Sequence, residues 1–209
     1  MSYICILLNT EVKILEISTQ LFMTYGLKSV SMDDISRKLG ISKKTLYQHV
    51  GNKNDLVKQV IQKFIGLQHE VILSITNESS DAIEEYLDLS RHFLSTIRQM
   101  KPTITYDLQK YYSDSWNIIT KDHFNFLQNV IQKNIERGID QELYRQNVNA
   151  DIIAKLYISK NHAIADESLF PLQKYSKDEL LIEFVKYHLH GIASAKGIKR
   201  MKTILKKQL

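Results

Sequence analysis

The chain has 209 residues, of which only seven are glycine and two are proline. So few turn-forming residues, among long runs of Leu, Ile, Lys, Gln and Glu, predict an all-α fold and argue against a β-sandwich or barrel. The net charge of +5 is uneven: residues 1–66 carry +4, residues 67–195 carry −5 and residues 196–209 carry +6, so a polyanion is expected to meet the N-terminal part.

The N-terminal end contains one cysteine and one short apolar run. Cys5 is the only cysteine of the sequence, which excludes an intrachain disulfide and a four-thiolate metal site within one chain. The run from Tyr3 to Leu8 is too short for a signal-peptide core or a membrane span. We therefore expect a cytoplasmic protein with no membrane partner.

Four helices are predicted in the first third of the chain. Apolar residues spaced by three and four indicate a first helix from Thr10, as N-cap, to Tyr25. A second helix follows Ser31, which can form a capping box with Asp34, and ends at Gly40. The third extends from about Ser42 to Val50, and the fourth begins at Asn52 and continues toward Ile75.

The later helices are longer and bring the total to about nine. One is predicted from Asp81 to Met100, where Pro102 would stop it, and another from Trp116 to Arg137, closed by Gly138. The next two begin after Asn149 and Ser176 as N-caps. The tail KGIKRMKTILKKQL has apolar residues at helical spacing between lysines. It could bind a membrane surface, but we favour packing of its apolar stripe on the protein.

Helices two and three, joined by a glycine turn, have the layout of a helix-turn-helix module with its core at residues 31–50. Leu46 and Val50 lie four apart and can anchor the third helix, which leaves its polar residues free to enter the major groove. Lysine side chains can donate hydrogen bonds to phosphate oxygens or to guanine, and Gln48 can pair with adenine through two hydrogen bonds. The backbone amides at the N-terminus of the fourth helix, together with Lys53, can bind a backbone phosphate of DNA. The predicted DNA-binding residues are Ser31, Ser42, Lys43, Lys44, Thr45, Tyr47, Gln48, His49 and Lys53.

The segment KILEISTQLFMTYGLKSVSMDDISRKLGISKKTLYQHVGNKNDL, from Lys13 to Leu56, resembles the TetR family of transcriptional repressors. Ser18 and Ser36 stand where alanine is usual in that family, Val50 replaces a common phenylalanine, and Gly51 is a less usual residue before the fourth helix. The resemblance implies a DNA-binding domain at residues 1–66. It also implies a domain at 67–209 that encloses a small-molecule pocket and forms a homodimer through its last two long helices.

Two sets of residues are candidates for these implied sites. Aromatic side chains, which could equally be plain core, are candidates for an effector pocket: Phe93, Tyr106, Tyr111, Tyr112, Trp116 and Phe124, with Phe126 beside them. The wide apolar faces of the last two long helices permit a dimer interface, although a monomer would also bury one such face. Its candidates are Ile153, Leu156, Tyr157, Leu181, Phe184, Val185 and His188.

No cofactor and no metal are predicted. His188 and His190 are two residues apart, so on a helix they point about 200° from one another and cannot share an ion. The leading hypothesis is a homodimeric repressor that binds a palindromic double-stranded DNA operator and is released by a small-molecule effector. The alternatives are an effector-independent DNA-binding regulator controlled by a protein partner and a helical enzyme, for which no phosphate loop, nucleophile elbow or acid–base set is evident.

Overall fold

A computed structural model describes residues 3–166, 168–171 and 173–206, and in these ranges it is helical with no strand. A short π-helical segment, Ile119–His123, joins two α-helical segments without a break, so the described chain forms ten continuous helices. The all-α prediction is confirmed. The α-helical segments are α1 (Tyr3–Tyr25), α2 (Met32–Leu39), α3 (Lys43–His49), α4 (Lys53–Glu78), α5 (Ala82–Gln99), α6 (Pro102–Tyr111), α7 (Ser113–Ile118), α8 (Phe124–Asp140), α9 (Ala150–Ala165), α10 (Lys177–Ile192) and α11 (Ala195–Lys206).

The chain divides into two compact units. Unit 1 contains the described residues up to Gln68 together with Met100–Asp122, and unit 2 contains His69–Gln99 and the described residues from His123 onward. The charge balance of the sequence places a boundary near residue 66, but it gives no sign that Met100–Asp122 packs with the N-terminal residues. No helix in the described ranges is long and apolar enough to cross a membrane.

Local capping signals set several helix starts. The side chains of Ser31, Ser42, Asn149 and Ser176 each accept a hydrogen bond from the third backbone N–H of their helix, as predicted. Asn52 does the same for Asp55, with its Oδ1 3.0 Å from the backbone nitrogen. These bonds connect residues three apart, which is why the sequence predicts them.

Two predicted helix ends are wrong. Thr10 lies inside α1, which begins at Tyr3. Helix α5 ends at Gln99, within one residue of the predicted Met100, but Pro102 then begins α6, where a missing N–H costs nothing. Gly138 does not close α8, which continues to Asp140. Its missing side chain instead makes room for the ring of Tyr144, because a Cβ on Gly138 would lie 2.1 Å from Tyr144 Cδ2.

Unit 2 has a large apolar core with a polar network at one place in it. The Glu85 carboxylate is 1% exposed and accepts from Asn134 Nδ2 at 2.9 Å and Arg137 Nη1 at 3.2 Å. Tyr144 donates to the carbonyl of Ala82 at 3.1 Å. Because Glu85, Asn134 and Tyr144 each have a partner within this network, it joins α5 to α8 without leaving the carboxylate charge uncompensated.

The described part of the basic tail, helix α11, packs in unit 2 as the sequence favoured, while Leu209 of the predicted apolar stripe lies outside the described residues. Met201 and Ile204 of α11 are buried in the core, and Arg200 Nε lies 2.6 Å from Asp81 Oδ2, just before α5. The exposed lysines of α11 lie on its other face, so the apolar stripe is not available to a membrane.

Candidate nucleic-acid interface

Unit 1 builds the helix-turn-helix from α2 and α3. The capping box at the start of α2 is complete: Ser31 Oγ accepts from the Asp34 backbone N–H at 3.2 Å, and Asp34 Oδ2 accepts from the Ser31 backbone N–H at 2.9 Å. The Ser31 hydrogen bonds lower the pKa of the Asp34 carboxyl. Gly40 ends α2 with φ of 69°, a left-handed conformation that glycine adopts without strain. The turn that sets the angle between α2 and α3 is therefore encoded locally.

Helix α3 is held to unit 1 along one side. Leu46 is fully buried and Val50 is 4% exposed, so the two predicted anchors are confirmed. The opposite side exposes Lys43, Lys44 and Gln48, while Tyr47 is 43% exposed. An amphipathic helix of this kind presents a polar surface that is fixed in position by its buried residues.

The exposed residues of α3 differ in how free they are. Lys43 Nζ lies 3.0 Å from Asp33 Oδ2, and this hydrogen bond raises the pKa of the lysine. Lys44 and Gln48 have no hydrogen-bond or ionic partner in the part of the chain that the structure describes. These two side chains are therefore the freest donors and acceptors on the surface of α3.

Two of the predicted DNA-binding side chains are partly withdrawn from that surface. Thr45 is half-buried, and its hydroxyl lies 2.8 Å from Ser42 Oγ. The side chain of His49 is only 10% exposed, with Nδ1 3.8 Å from Glu11 Oε1 on α1. Both predictions came from helical position alone: the N-cap of the same helix holds the Thr45 hydroxyl, and Glu11 of α1 lies beside His49.

Lys53, the first residue of α4, packs against other residues of unit 1. Its Nζ donates to the backbone carbonyl of Lys28 at 3.2 Å and lies 5.9 Å from the ring centroid of Tyr112. Burial lowers the pKa of this ammonium group. The ammonium group has three donors, so Lys53 can keep its bond to the Lys28 carbonyl and still donate to a phosphate beside the N-terminal amides of α4.

The six aromatic pocket candidates do not share one environment. Tyr106, Tyr111, Tyr112 and Trp116 belong to unit 1, and Phe93 and Phe124 belong to unit 2. Tyr112 is buried in the core of unit 1, but Tyr106 and Tyr111 are 53% and 38% exposed on its surface. Their exposure gives no support to a role in an enclosed pocket, which stays a prediction, because proximity along the chain does not decide which way a helical side chain points.

Four of the dimer-interface candidates are buried within their own chain. Tyr157, Leu181, Phe184 and His188 are all less than 9% exposed in the core of unit 2, so they face away from any partner. Ile153 and Val185 are half-buried, and Leu156 is 51% exposed. The apolar residues that α9 and α10 do expose include three that the sequence analysis missed: Ile152, Ile182 and Tyr187.

Unit 2 also holds a pair of histidines that no sequence signal indicates, since they are 54 residues apart. His69 Nε2 lies 3.1 Å from His123 Nδ1, and the His69 ring stacks on Phe126 with centroids 3.7 Å apart. Burial lowers the pKa of His123 to about 4, so the ring is neutral at physiological pH. No group of three potential metal ligands occurs in the described ranges.

Comparison with known proteins gives matches to the helix-turn-helix region and to most of the chain. Residues 14–60 match the sequence model of bacterial regulatory proteins of the tetR family. An HTH-type transcriptional regulator of Bacillus subtilis, YvaF, is 26% identical over 168 residues, which cover 79% of this chain and 87% of that protein.

Solved structures show the same fold. A TetR family regulator from Agrobacterium tumefaciens superposes with a TM-score of 0.70 at 17% identity, covering 90% of this chain and all of the other. A transcriptional regulator from Saccharomonospora viridis in complex with choline superposes with a TM-score of 0.73 at 20% identity, covering 89% of this chain and 98% of the other.

Proposed function

The chain belongs to the TetR family of DNA-binding transcriptional regulators, and we propose that it is a repressor that binds a palindromic operator as a homodimer. We further propose that a small-molecule effector releases it from DNA. The family and its relatives are regulators rather than enzymes.

One observation carries the DNA-binding mode: α3 presents Lys44 and Gln48, exposed and without partners in the described ranges, on a helix anchored by the buried Leu46. A lysine reads guanine acceptors and a glutamine pairs with adenine through two hydrogen bonds. We expect Ser31 and Ser42, at the N-termini of α2 and α3, and the exposed Tyr47 to contact phosphate. We therefore propose that Lys44 and Gln48 read bases and that the others position the protein on DNA.

The homodimer is supported by the apolar surface of α9 and α10. Leu156 and Ile182 are each 51% exposed, and Ile152 lies one turn before Leu156 on the same face of α9. Exposed apolar side chains of this number on neighbouring helices are typical of an association surface. A second copy of the chain would bring a second α3, which a palindromic operator requires at a spacing of about 34 to 36 Å.

The effector is supported by fold similarity to a regulator whose structure contains choline. A loss of DNA affinity of about a hundredfold needs only about 2.7 kcal/mol of coupling between the two sites, which is within the usual range for allosteric proteins. We place DNA binding in residues 1–66 and effector binding in the rest of the chain.

The DNA-binding mode is tested by selecting duplexes from a random-sequence library with the full-length protein. Affinity for a selected duplex and for its scrambled version is then measured for the parent, Lys44→Ala and Gln48→Ala. Each substitution is expected to reduce the preference for the selected duplex by about tenfold, since a good base contact discriminates by about 1–3 kcal/mol.

A matched variant separates base reading from general attraction. Lys53→Ala, at the N-terminus of α4, is expected to weaken selected and scrambled duplexes to the same extent. If Lys44→Ala and Gln48→Ala leave the preference unchanged, the proposed role of α3 is incorrect.

A further inference from the structure

A surface patch on unit 1 combines two lysines with two tyrosines. Lys28 Nζ donates to Tyr111 Oη at 2.9 Å and lies 4.3 Å from the centroid of that ring. Lys110 Nζ donates to Tyr106 Oη at 2.6 Å and lies 5.5 Å from the ring centroid of Tyr111. All four residues are exposed, and we name them the lysine–tyrosine patch.

The patch offers hydrogen-bond donors and positive charge. Several lysines elsewhere in the described chain pair with carboxylates, as Lys155 does with Asp151 and Lys186 with Glu183. In the same described ranges no carboxylate lies within 4 Å of the Lys28 or Lys110 ammonium. Each phenol oxygen accepts from its lysine, so its own O–H remains free to donate outward.

An acidic side chain beside the patch, that of Asp107, is already occupied. Asp107 is only 7% exposed, and its Oδ2 accepts from the backbone N–H of Lys28 at 2.9 Å. Ammonium and phenol donors side by side, with the nearby carboxylate turned inward, suit the oxygens of a phosphate group.

The patch adjoins the proposed DNA-binding edge of unit 1. Lys28 precedes Ser31, the N-cap of α2, by three residues, and its carbonyl accepts from Lys53 Nζ at the start of α4. We propose that the lysine–tyrosine patch binds backbone phosphates of the DNA that flanks the bases read by α3. This inference rests on the proposed DNA-binding function and extends the contact surface from α2, α3 and α4 to α6.

The salt dependence of DNA binding tests the patch. The full-length parent and Lys28→Ala/Lys110→Ala are titrated with a 40-base-pair duplex carrying a library-selected sequence at its centre, over a range of salt concentrations. Removing two phosphate contacts per subunit is expected to make the slope of log K against log[salt] shallower by about 1.8 per subunit. Affinity at low salt should fall about tenfold or more, while the preference over a scrambled duplex stays within twofold of the parent.

Two further variants control for charge and for folding. Lys133→Ala/Lys202→Ala removes the same charge from exposed positions of unit 2 and should leave the slope close to that of the parent. Tyr106→Phe/Tyr111→Phe keeps the rings and the lysines but removes both phenol donors, and should weaken binding several-fold. Circular dichroism confirms that each variant is folded before its slope is compared.

The outcomes distinguish the patch from the function on which it rests. If DNA preference depends on Lys44 and Gln48 but Lys28→Ala/Lys110→Ala has the same slope as the unit 2 control, the patch does not bind DNA. If the parent shows no preference that depends on Lys44 and Gln48, the proposed function fails and the patch fails with it.

Discussion

Ser18 lies in the middle of α1 with no exposed surface, and its Oγ has no hydrogen-bond partner. A buried hydroxyl without a partner lowers stability by the cost of its lost hydration, about 1–3 kcal/mol. Ser18→Ala removes this group without leaving a large cavity. We expect the variant to raise the free energy of unfolding by about 1 kcal/mol, measured by urea denaturation.

Ser36 provides a matched control for that measurement. It is also buried within unit 1, at 6% exposed, but its Oγ donates to the carbonyl of Asp33 at 3.1 Å. Since this hydroxyl is satisfied, Ser36→Ala should be neutral or slightly destabilising. Equal effects of the two substitutions would show that the missing partner of Ser18 is not what costs stability.

At the scale of elements, Gly138 determines how α8 meets the segment that follows it. A Cβ at this position would lie 2.1 Å from Tyr144 Cδ2 and 2.4 Å from Cε2, well inside the contact distance of carbon atoms. Gly138→Ala therefore has to displace the ring of Tyr144, whose hydroxyl bonds to the carbonyl of Ala82. We expect a loss of about 1–3 kcal/mol of unfolding free energy, as in other overpacked cores.

Gly66 shows what the same substitution does where there is space. It lies within α4, and in the described structure a Cβ built there would meet no atom within 4 Å apart from its chain neighbours and the backbone of its own helix. Gly66→Ala is thus expected to stabilise the protein by about 0.5–1 kcal/mol through helix propensity alone. If both variants gain stability in the same denaturation assay, the packing of Tyr144 against Gly138 is looser than described.

These elements show which parts of the structure are readable from sequence. Helix starts such as Ser31 and Ser42 depend on bonds between residues three apart, and the anchors Leu46 and Val50 depend on a spacing of four. The role of Gly138 depends on where the Tyr144 ring packs, and the withdrawal of His49 depends on Glu11, 38 residues earlier. Spacing along one helix contains no information about such tertiary contacts, so those features required the structure.

At the scale of the whole molecule, the buried faces of α9 and α10 explain why the proposed dimer surface differs from the one expected from the sequence. Each of these helices directs one apolar face inward, where Tyr157 and Phe184 have ring centroids 5.5 Å apart within unit 2. When a helix has apolar residues on two faces, its sequence does not indicate which of the two faces is buried within the same chain. The exposed apolar face, which the proposed homodimer would bury, is the one that carries Leu156 and Ile182.

Leu156→Glu/Ile182→Glu tests this surface. Both side chains are 51% exposed, so carboxylates there are solvated in a monomer but would be buried and repel across a dimer. We expect a folded monomer in analytical ultracentrifugation and, because two linked α3 helices bind more tightly than one, a loss of operator affinity of about a hundredfold or more. Val71→Glu/Leu73→Glu, at exposed apolar positions of α4, should stay dimeric. A Leu156→Glu/Ile182→Glu variant that remains dimeric would place the interface on another surface.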